Sequence, residues 1–295
     1  MSGHPPLERV RHITLTPGTK LIVMSDMHRG DGSGADDFAK NSLIYRCALE
    51  YYLENGFTYI ELGDAEELWE NDNFDQIYIT HTPVYELLAK FHDTDPEKTR
   101  YIKVWGNHDL HWKDHQDIYQ SLFPGIQIHE AALLNDTTLL IHGHQADPMC
   151  SGPAAAVSQF FVNHFWSDMQ RVGVKDPTRA ALNPGLCNEV DRRLHDWANE
   201  NDQGITTIIA GHTHRPVFEN LSLTERRYLK SKVKTEDIEI KHHPDGSYYN
   251  TGSCVHPLSI TGIEITYEDS LKFSLVEWGQ ATEGRLLTIQ RKEIS

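Results

Sequence analysis

The chain has few cysteines and no long apolar run. Its four cysteines form no CxxC pair, so we expect reduced, partly buried thiols at Cys47, Cys150, Cys187 and Cys254. No stretch approaches the roughly 20 apolar residues that a membrane-spanning helix requires. Residues 1–12 carry prolines and charges where a secretory signal would need an apolar segment. We therefore expect a cytoplasmic protein without a transmembrane segment.

Positively charged side chains are also scarce. Lys and Arg number 27 against 43 Asp and Glu, which gives a formal net charge of −16. A general nucleic-acid binder neutralises phosphates with Lys and Arg, so this balance argues against that class. A nucleotide or a small phosphorylated molecule stays open as a ligand. A length of 295 residues with 39% hydrophobic content is enough for one large domain.

Five short clusters of potential metal ligands follow one another along the chain. They are Asp26–His28, Gly63–Asp64, Gly106–Asp109, His142–His144 and Gly211–His214. Together they supply carboxylate oxygens, an amide oxygen and imidazole nitrogens, which suit Mn, Fe and Zn. An adjacent pair of such ions can hold one phosphoryl group. The set therefore indicates a metal-dependent phosphoester hydrolase.

The specificity of this signal comes from the longer clusters. The pattern Asp-x-His occurs twice, counting Asp109–His111, which is close to what chance allows. The GNHD cluster is expected roughly 0.004 times by composition, and the GHxH cluster roughly 0.07 times. The ordered set, rather than any single His or Asp, supports the prediction.

Each cluster follows a short apolar run that is typical of a buried strand. The runs are Leu21–Met24, Tyr59–Leu62, Tyr101–Trp105, Leu139–Ile141 and Thr207–Ala210. Open α/β sheets place their sites at the carboxyl ends of the strands, so we expect the clusters to meet there. The glycines in four of the clusters permit sharp turns and a close approach of the backbone to a metal.

These clusters resemble the motifs of the calcineurin-like metallophosphoesterase superfamily, whose pattern is DxH, GD, GNH(D/E), H and GHxH. The resemblance implies that one metal is bound by Asp26, His28 and His214, that the other is bound by Asn107, His142 and His212, and that Asp64 bridges the two ions. In the fourth cluster His142 is the expected ligand, and His144 is expected beside the ligands or the substrate.

The resemblance also implies a mechanism. Two divalent ions, manganese first and iron, zinc or magnesium as alternatives, would lower the pKa of a bridging water and supply hydroxide for in-line attack on phosphorus. His108 would lie beside the phosphate and assist the leaving group, since the pKa of an imidazole lies near neutral pH. Arg29 could add a charge-assisted contact to the phosphate, and Asp109 would orient its loop.

The implied fold is an α/β sandwich of four layers, α-β-β-α, in which two mixed sheets are flanked by helices. Periodicity predicts a helix within Asp36–Asn55 and helical pieces within Glu66–Ala89. After His214, alternating segments are predicted to be antiparallel strands of a second sheet, at Val217–Leu223, Tyr248–Asn250, Ile260–Tyr267 and Leu271–Val276.

The segment 147–204 differs from the rest of the chain. It is predicted to be a helical, cap-like insert near the active site within a single domain of residues 1–295, with helices at Ala154–Trp166 and Cys187–Asn199. Its position and the sequence GHTHRP resemble the UDP-2,3-diacylglucosamine hydrolase branch in layout, but the lipid-sugar substrate does not carry over. Phe161 and Phe165 lie one helical turn apart, where they either pack in a core or line a pocket for an apolar or aromatic part of the substrate.

Two classes of function stay open. The preferred one is a hydrolase of a small phosphorylated substrate, acting as a monoesterase, a diesterase or a pyrophosphatase on a nucleotide- or lipid-linked substrate. The alternative is a non-catalytic scaffold that has kept the metallophosphoesterase fold. Degraded ligand positions would mark the scaffold, and none is degraded in this sequence. The oligomeric state is left open.

Overall fold

The computed structural model describes residues 7–34, 36–71, 73–93, 100–148, 150, 183–200, 204–222, 224–225, 247–283 and 286–294. The first strands are β1 Val10–Ile13, β2 Thr19–Met24, β3 Thr58–Leu62, β4 Tyr101–Val104, β5 Ile128–His129, β6 Ala131–Leu134 and β7 Thr138–Ile141. The remaining described strands are β8 Thr207–Ala210, β9 Val217–Phe218, β10 Leu221–Ser222, β11 Ser247–Asn250, β12 Ser259–Tyr267, β13 Leu271–Glu283 and β14 Leu286–Glu293.

The described strands form two mixed sheets. Sheet I has the order β14-β13-β12-β2-β3-β4-β5, and sheet II has the order β1-β6-β7-β8-β11-β9-β10. In sheet I, strands β2 to β5 are parallel, and β12 pairs antiparallel with β2 in a register that sets Ile263 opposite Val23. In sheet II, strands β7, β8 and β11 are parallel neighbours. Each sheet therefore has a parallel centre, whose strand ends can hold a site.

Helices connect and cover these strands. The described α-helices are α1 Ser42–Glu54, α2 Phe74–Thr80, α3 Thr82–Asp93, α4 Gln116–Gln120 and α5 Pro184–Glu200. The described part of the chain also contains three short 3₁₀ turns, at Ala39–Asn41, Leu110–Lys113 and His144–Ala146.

The alternation of side chains along β2 builds two layers of the core. Successive residues of a strand face opposite sides of the sheet. Ile22 and Met24 pack in one buried cluster with Leu88 of α3, whereas Val23 packs in another with Leu140 of β7. The first cluster joins sheet I to the helices α1 and α3, and the second fills the space between the two sheets.

Strand β8 repeats this alternation on sheet II. Ile209 belongs to the cluster between the sheets, whereas Ile208 and Ala210 pack with Leu194 and Trp197 of α5. Helix α5 therefore covers the outer face of sheet II as α1 and α3 cover sheet I. The layers follow the order α-β-β-α, so the predicted α/β sandwich with two mixed sheets is confirmed.

Most of the predicted elements are present, but one prediction about the sheets is wrong. All five strands predicted before the ligand clusters are present, as are the helices within Asp36–Asn55, Glu66–Ala89 and Cys187–Asn199. The prediction that the C-terminal strands form one second sheet is wrong. Strands β9, β10 and β11 join β8 in sheet II, but β12 and β13 extend sheet I beside β2. The predicted helix Ala154–Trp166, with Phe161 and Phe165, lies outside the described residues.

The helices in the described part of the chain differ from membrane-spanning helices. None of them is both long enough and apolar enough to cross a bilayer.

Candidate metal centre

The ligand clusters adopt a backbone conformation that ordinary side chains rarely take. Positive φ angles occur at Asp26 (56°), His28 (49°), Asp64 (50°), His212 (67°) and His214 (54°). Each such residue costs about 1–3 kcal/mol and persists only where surrounding contacts fix it. Strain of this kind gathers at functional sites, and here it occurs at five of the six positions that the sequence analysis named as carboxylate or imidazole ligands, His142 being the exception.

Hydrogen bonds tie the loops from the two sheets to one another. Asp26 N donates to Gly63 O (3.1 Å), and His28 N donates to Asp64 O (2.9 Å), which joins the first two clusters. The backbone N–H of His212, from sheet II, donates to both carboxylate oxygens of Asp26, at 3.2 and 3.0 Å. The first and fifth clusters are therefore held together across the sandwich.

Asp109 fixes the loop of the third cluster. Its carboxylate accepts hydrogen bonds from the backbone N–H groups of Gly106 (2.6 Å), Asp64 (3.2 Å) and Ala65 (3.0 Å). Burial raises the pKa of Asp109 to about 6. The predicted role of Asp109 in orienting its loop is confirmed by these contacts.

Two glycines leave room for the ligands. A Cβ at Gly63, whose φ is 81°, would overlap the imidazole of His142, and a Cβ at Gly106 would overlap the carboxylate of Asp64. Any larger residue would displace the ligand side chain. Glycine is therefore required at both positions by the close approach of two loops.

The first group of converging donors contains Asp26, His28 and His214. Each offers one ligand atom, and these atoms lie within 4.8 Å of one another. His214 Nε2 is 3.1 Å from Asp26 Oδ1 and 3.1 Å from His28 Nε2. Burial opposes ionisation of Asp26, but His214 and His142 keep the pKa of its carboxyl below the usual value. Two imidazole nitrogens and a carboxylate oxygen thus point at one place, as around a divalent cation.

The second group contains Asp64, His142 and His212, again with ligand atoms within 4.8 Å of one another. His142 Nε2 lies 3.1 Å from Asp64 Oδ2 without the alignment of a hydrogen bond. Asn107 Oδ1 is buried and has no hydrogen-bond partner among the described residues. Because buried polar atoms are nearly always paired, the unpartnered Asn107 Oδ1 fits a cation that would satisfy it.

Asp64 lies between the two groups. Its Oδ2 is 3.1 Å from His142 Nε2 and 3.8 Å from His28 Nε2, and its Oδ1 accepts from the backbone N–H of His108 at 2.8 Å. Burial opposes the ionised form, but His142 and His108 hold the pKa of Asp64 well below its usual range. One ionised carboxylate of the second group therefore also approaches His28 of the first group, a position that is compatible with the bridging role that the resemblance implies.

Glu67 orients two of the histidines. Its two carboxylate oxygens lie 2.6 Å from His28 Nδ1 and 2.7 Å from His108 Nδ1. A carboxylate on the outer nitrogen of a ligating imidazole fixes the tautomer and turns the other nitrogen inward. The indole of Trp69 stacks on His108 with ring centroids 4.2 Å apart. Both Glu67 and Trp69 were missed by the sequence analysis.

The two histidines of the second group are also oriented by hydrogen bonds to their outer nitrogens. His142 Nδ1 donates to Leu62 O at 2.9 Å, and His212 Nε2 lies 2.8 Å from Asp147 Oδ2. The remaining nitrogen of each ring, Nε2 of His142 and Nδ1 of His212, is the one available as a ligand. The donor types and their outer partners therefore fit a pair of adjacent divalent ions.

His144 occupies a different position from His142. Among the described residues, His142 belongs to the group with Asp64 and His212, whereas His144 belongs to none of the converging groups. Burial and the neighbouring His142 lower the pKa of His144 well below its usual value. The choice of His142 as the ligand in this cluster agrees with this placement.

The prediction of a phosphate contact by Arg29 needs correction. Its side chain is fully buried, and its guanidinium binds Glu61 Oε1 (2.8 Å) and Glu66 Oε1 (2.6 Å). The group also lies over the ring of Tyr85, 5.1 Å from the centroid. Two buried carboxylates neutralise the charge of Arg29. The side chain therefore supports the loop of the first cluster from the interior.

Lys103 completes a buried ion-pair network with Arg29. Its Nζ lies 2.8 Å from Glu61 Oε2 and 2.8 Å from Glu66 Oε2, and 3.7 Å from Asp109 Oδ2. Burial works against ionisation, but Arg29 and Lys103 keep the pKa of Glu61 at about 2. The network lies under the loops that carry Asp64 and Asn107, which makes it a rigid base for the site.

We expect Glu61→Gln to lower the free energy of unfolding by about 3–5 kcal/mol, because it removes one of the two carboxylates that contact both buried cations. The folded pKa of Glu61, about 2, lies below its ordinary 4.5, so its contribution is complete above about pH 4.5 and is lost as the pH falls toward 2. Urea unfolding in EDTA measures the change without metal. Asp196→Asn, which breaks an exposed pair with Arg192, is the control and should change little; an equal effect of both variants would contradict the role of the network.

Comparisons with known proteins give limited information. No protein-family model matches the chain, and no curated protein matches it. Among solved structures, it is similar to Vacuolar Protein Sorting 29 from Cryptosporidium parvum, with 12% identity, 95% of this chain and 100% of that chain covered, and a TM-score of 0.38. It is also similar to Vps29 complexed with zinc from Entamoeba histolytica, with 15% identity, 94% and 100% covered, and a TM-score of 0.33.

Proposed function

We propose that the protein is a metal-dependent phosphoester hydrolase of the calcineurin-like metallophosphoesterase superfamily, with a dinuclear metal centre. The observation that supports this most is the position of the Asp64 carboxylate between the two groups of converging donors. Its Oδ2 lies 3.1 Å from His142 Nε2 and 3.8 Å from His28 Nε2. A single carboxylate between two sets of imidazoles is the arrangement that a bridged pair of ions requires.

The proposed ligands follow the two groups. One ion would be held by Asp26, His28 and His214, the other by Asn107, His142 and His212, and both by Asp64. Oxygen and imidazole donors of this kind suit manganese, with iron, zinc or magnesium as alternatives. When bound, the ions would neutralise phosphoryl oxygens and lower the pKa of an attacking water.

His108 is proposed to assist the leaving group. Its Nδ1 lies 2.7 Å from Glu67 Oε1, so an imidazolium at this position would be stabilised by the Glu67 carboxylate. Nε2 is then the atom that donates a proton to the departing oxygen. The stacking of Trp69 on the ring restricts its orientation further, and correct orientation of the donor is what general acid catalysis needs.

The proposed substrate is a small phosphorylated molecule, which can carry an apolar or aromatic part. Trp69 is half-buried beside His108, so an aromatic surface lies close to the proposed reaction centre. The segment 147–204 is proposed to act as a cap-like insert within a single domain. A cytoplasmic location is proposed as well. The net charge of −16 disfavours a long nucleic acid as the substrate.

The alternative is a metal-binding scaffold without turnover. The names of the two similar solved structures describe a sorting protein, and one of them a zinc complex, so the comparisons give no support for hydrolysis. The donor set of this chain supports metal binding in either case. Turnover itself has to be measured.

A substrate panel on manganese-loaded protein tests the proposal. The panel contains p-nitrophenyl phosphate, bis-p-nitrophenyl phosphate, a nucleoside monophosphate, a cyclic nucleotide and a diphosphate-linked sugar nucleotide. We expect turnover of at least one class with manganese and its loss in EDTA. Two bound ions per chain with no turnover of any class would favour the scaffold, and failure to bind any metal would exclude both.

A further inference from the structure

The residues His212 and His214 hold strained backbone conformations on either side of Thr213. Their φ angles are 67° and 54°, in the left-handed region that side chains with a Cβ rarely occupy. Such a conformation persists only when contacts from outside the loop hold it. The residues that make those contacts therefore help to keep the fifth ligand cluster in a conformation that can bind a metal.

One contact comes from Asp147, just after the fourth cluster. Asp147 is 1% exposed, and its Oδ2 lies 2.8 Å from Nε2 of His212, which is 6% exposed. This contact engages the outer nitrogen of the ring and leaves Nδ1 as the ligand atom. The backbone N–H of the same residue is held by Asp26, so the ring and the main chain of His212 are fixed from different sides.

The other contact comes from Asp191 on helix α5. This buried carboxylate accepts from Tyr248 OH at 2.7 Å and from Thr213 Oγ1 at 3.4 Å, and it pairs with the guanidinium of Arg215. Asn250 adds hydrogen bonds to Gly211 O (2.6 Å) and Thr213 Oγ1 (3.2 Å). The residue between the two strained histidines is thus bound from α5 and from β11.

Both carboxylates belong to the segment between the fourth and fifth clusters. We propose that Asp147 and Asp191 are positioning residues that hold His212 and His214 in their ligating conformation, so that the backbone at Asp147 and helix α5 are structural parts of the metal centre. This inference rests on the proposed metal site, but it does not depend on the substrate or on turnover.

Manganese binding to purified full-length protein tests the role of Asp147. Isothermal titration calorimetry gives the affinity, and melting in EDTA and in excess manganese gives the stabilisation that the metal provides. Asp147→Ala should weaken binding at one of two sites by about 10–100-fold, the range for loss of an outer hydrogen bond to a ligand. Asp147→Asn should recover part of the affinity, because the amide oxygen can still accept from Nε2–H. Melting in EDTA should stay near the wild-type value.

The role of Asp191 is tested by a substitution at Thr213, because replacing Asp191 itself removes a buried ion-pair partner and can unfold α5. Thr213→Val keeps the shape of the side chain and the Asp191–Arg215 pair but deletes the contacts of the hydroxyl with Asp191 and Asn250. We expect it to lower the manganese affinity and the melting increment that manganese gives, with little change in EDTA. Asp196→Ala, on the exposed face of α5, and Cys150→Ser, beside Asp147, are controls that should keep wild-type affinity.

The outcomes distinguish a failure of this inference from a failure of the proposed function. Wild-type affinity in Asp147→Ala and Thr213→Val, with two ions bound to the wild type, would overturn this inference and leave the proposed function intact. A lower melting temperature in EDTA with unchanged manganese affinity would also overturn it, since the contacts would then be merely structural. If Cys150→Ser loses affinity as Asp147→Ala does, the thiol is a ligand and the positioning role is wrong. A wild type that binds no manganese would overturn the proposed function and this inference together.

Discussion

Asp64→Asn is expected to weaken the binding of both metal ions and nearly to abolish turnover. Asp64 is the carboxylate that both donor groups share, and its Oδ2 approaches imidazoles of both, at 3.1 and 3.8 Å. An amide presents one neutral oxygen in place of two charged ones, so it cannot hold two cations. Two-metal catalysis supplies several kcal/mol of transition-state stabilisation, so we expect a loss of at least about a thousandfold.

Elemental analysis after gel filtration, together with the rate on the best substrate of the panel, measures this effect. Asn107→Ala is the matched comparison, because Asn107 follows one strand end and is assigned to one ion only. It should mainly empty one site. Two retained ions with full activity in Asp64→Asn would contradict the bridging assignment, and loss of a single ion would show that Asp64 serves only one group.

The fold could be predicted from the sequence where a pattern is local. The apolar runs before the ligand clusters are strands because β-branched residues in short runs bounded by glycine favour buried strands. The assignment of strands to sheets could not be predicted in this way. β11 and β12 both read as alternating strands, yet β11 pairs with β8 in sheet II and β12 pairs with β2 in sheet I. Pairing depends on contacts distant in sequence, which periodicity does not contain.

In the candidate site, too, local motifs could be predicted and contacts between distant residues could not. The ligand clusters are recognisable because their spacing is rare, and the structure brings Asp26, His28 and His214 together as the resemblance implies. Glu67 was missed because it stands next to Glu66 in a run of acids, and nothing in the spacing distinguishes them. In the structure Glu67 contacts His28 and His108, whereas Glu66 contacts Arg29 and Lys103.

Arg29 fails as a prediction for a related reason. A charged residue directly after a ligand reads as a phosphate contact, since Arg is seldom fully buried. The sequence gives no sign that two buried carboxylates, Glu61 and Glu66, would pair with it. The ligand residues at the strand ends could therefore be assigned from the sequence, but the buried residues that support their loops could not.

His108→Ala is expected to separate metal binding from chemistry. The side chain lies against Glu67 and Trp69 and converges with His28 and Asp64, but the proposed ligand set assigns it to neither ion. Its removal should leave the metal content intact while lowering kcat by roughly 10²–10⁴, the usual range for a lost general acid, which corresponds to about 3–5.5 kcal/mol of barrier. Steady-state kinetics on metal-loaded protein, with elemental analysis of the same samples, provides the measurement.

The leaving group decides whether His108 donates a proton or only positions the phosphate. An alkoxide needs a proton as it departs, whereas p-nitrophenolate is stable without one, so the loss in kcat should be much smaller for the nitrophenyl ester. Glu67 gives this difference its physical basis, because its carboxylate at Nδ1 stabilises the imidazolium that must carry the proton. Equal losses for good and poor leaving groups would rule out the proton-donor role. His108 would then act by holding the phosphoryl group, and the protonation of the leaving oxygen would have to come from water.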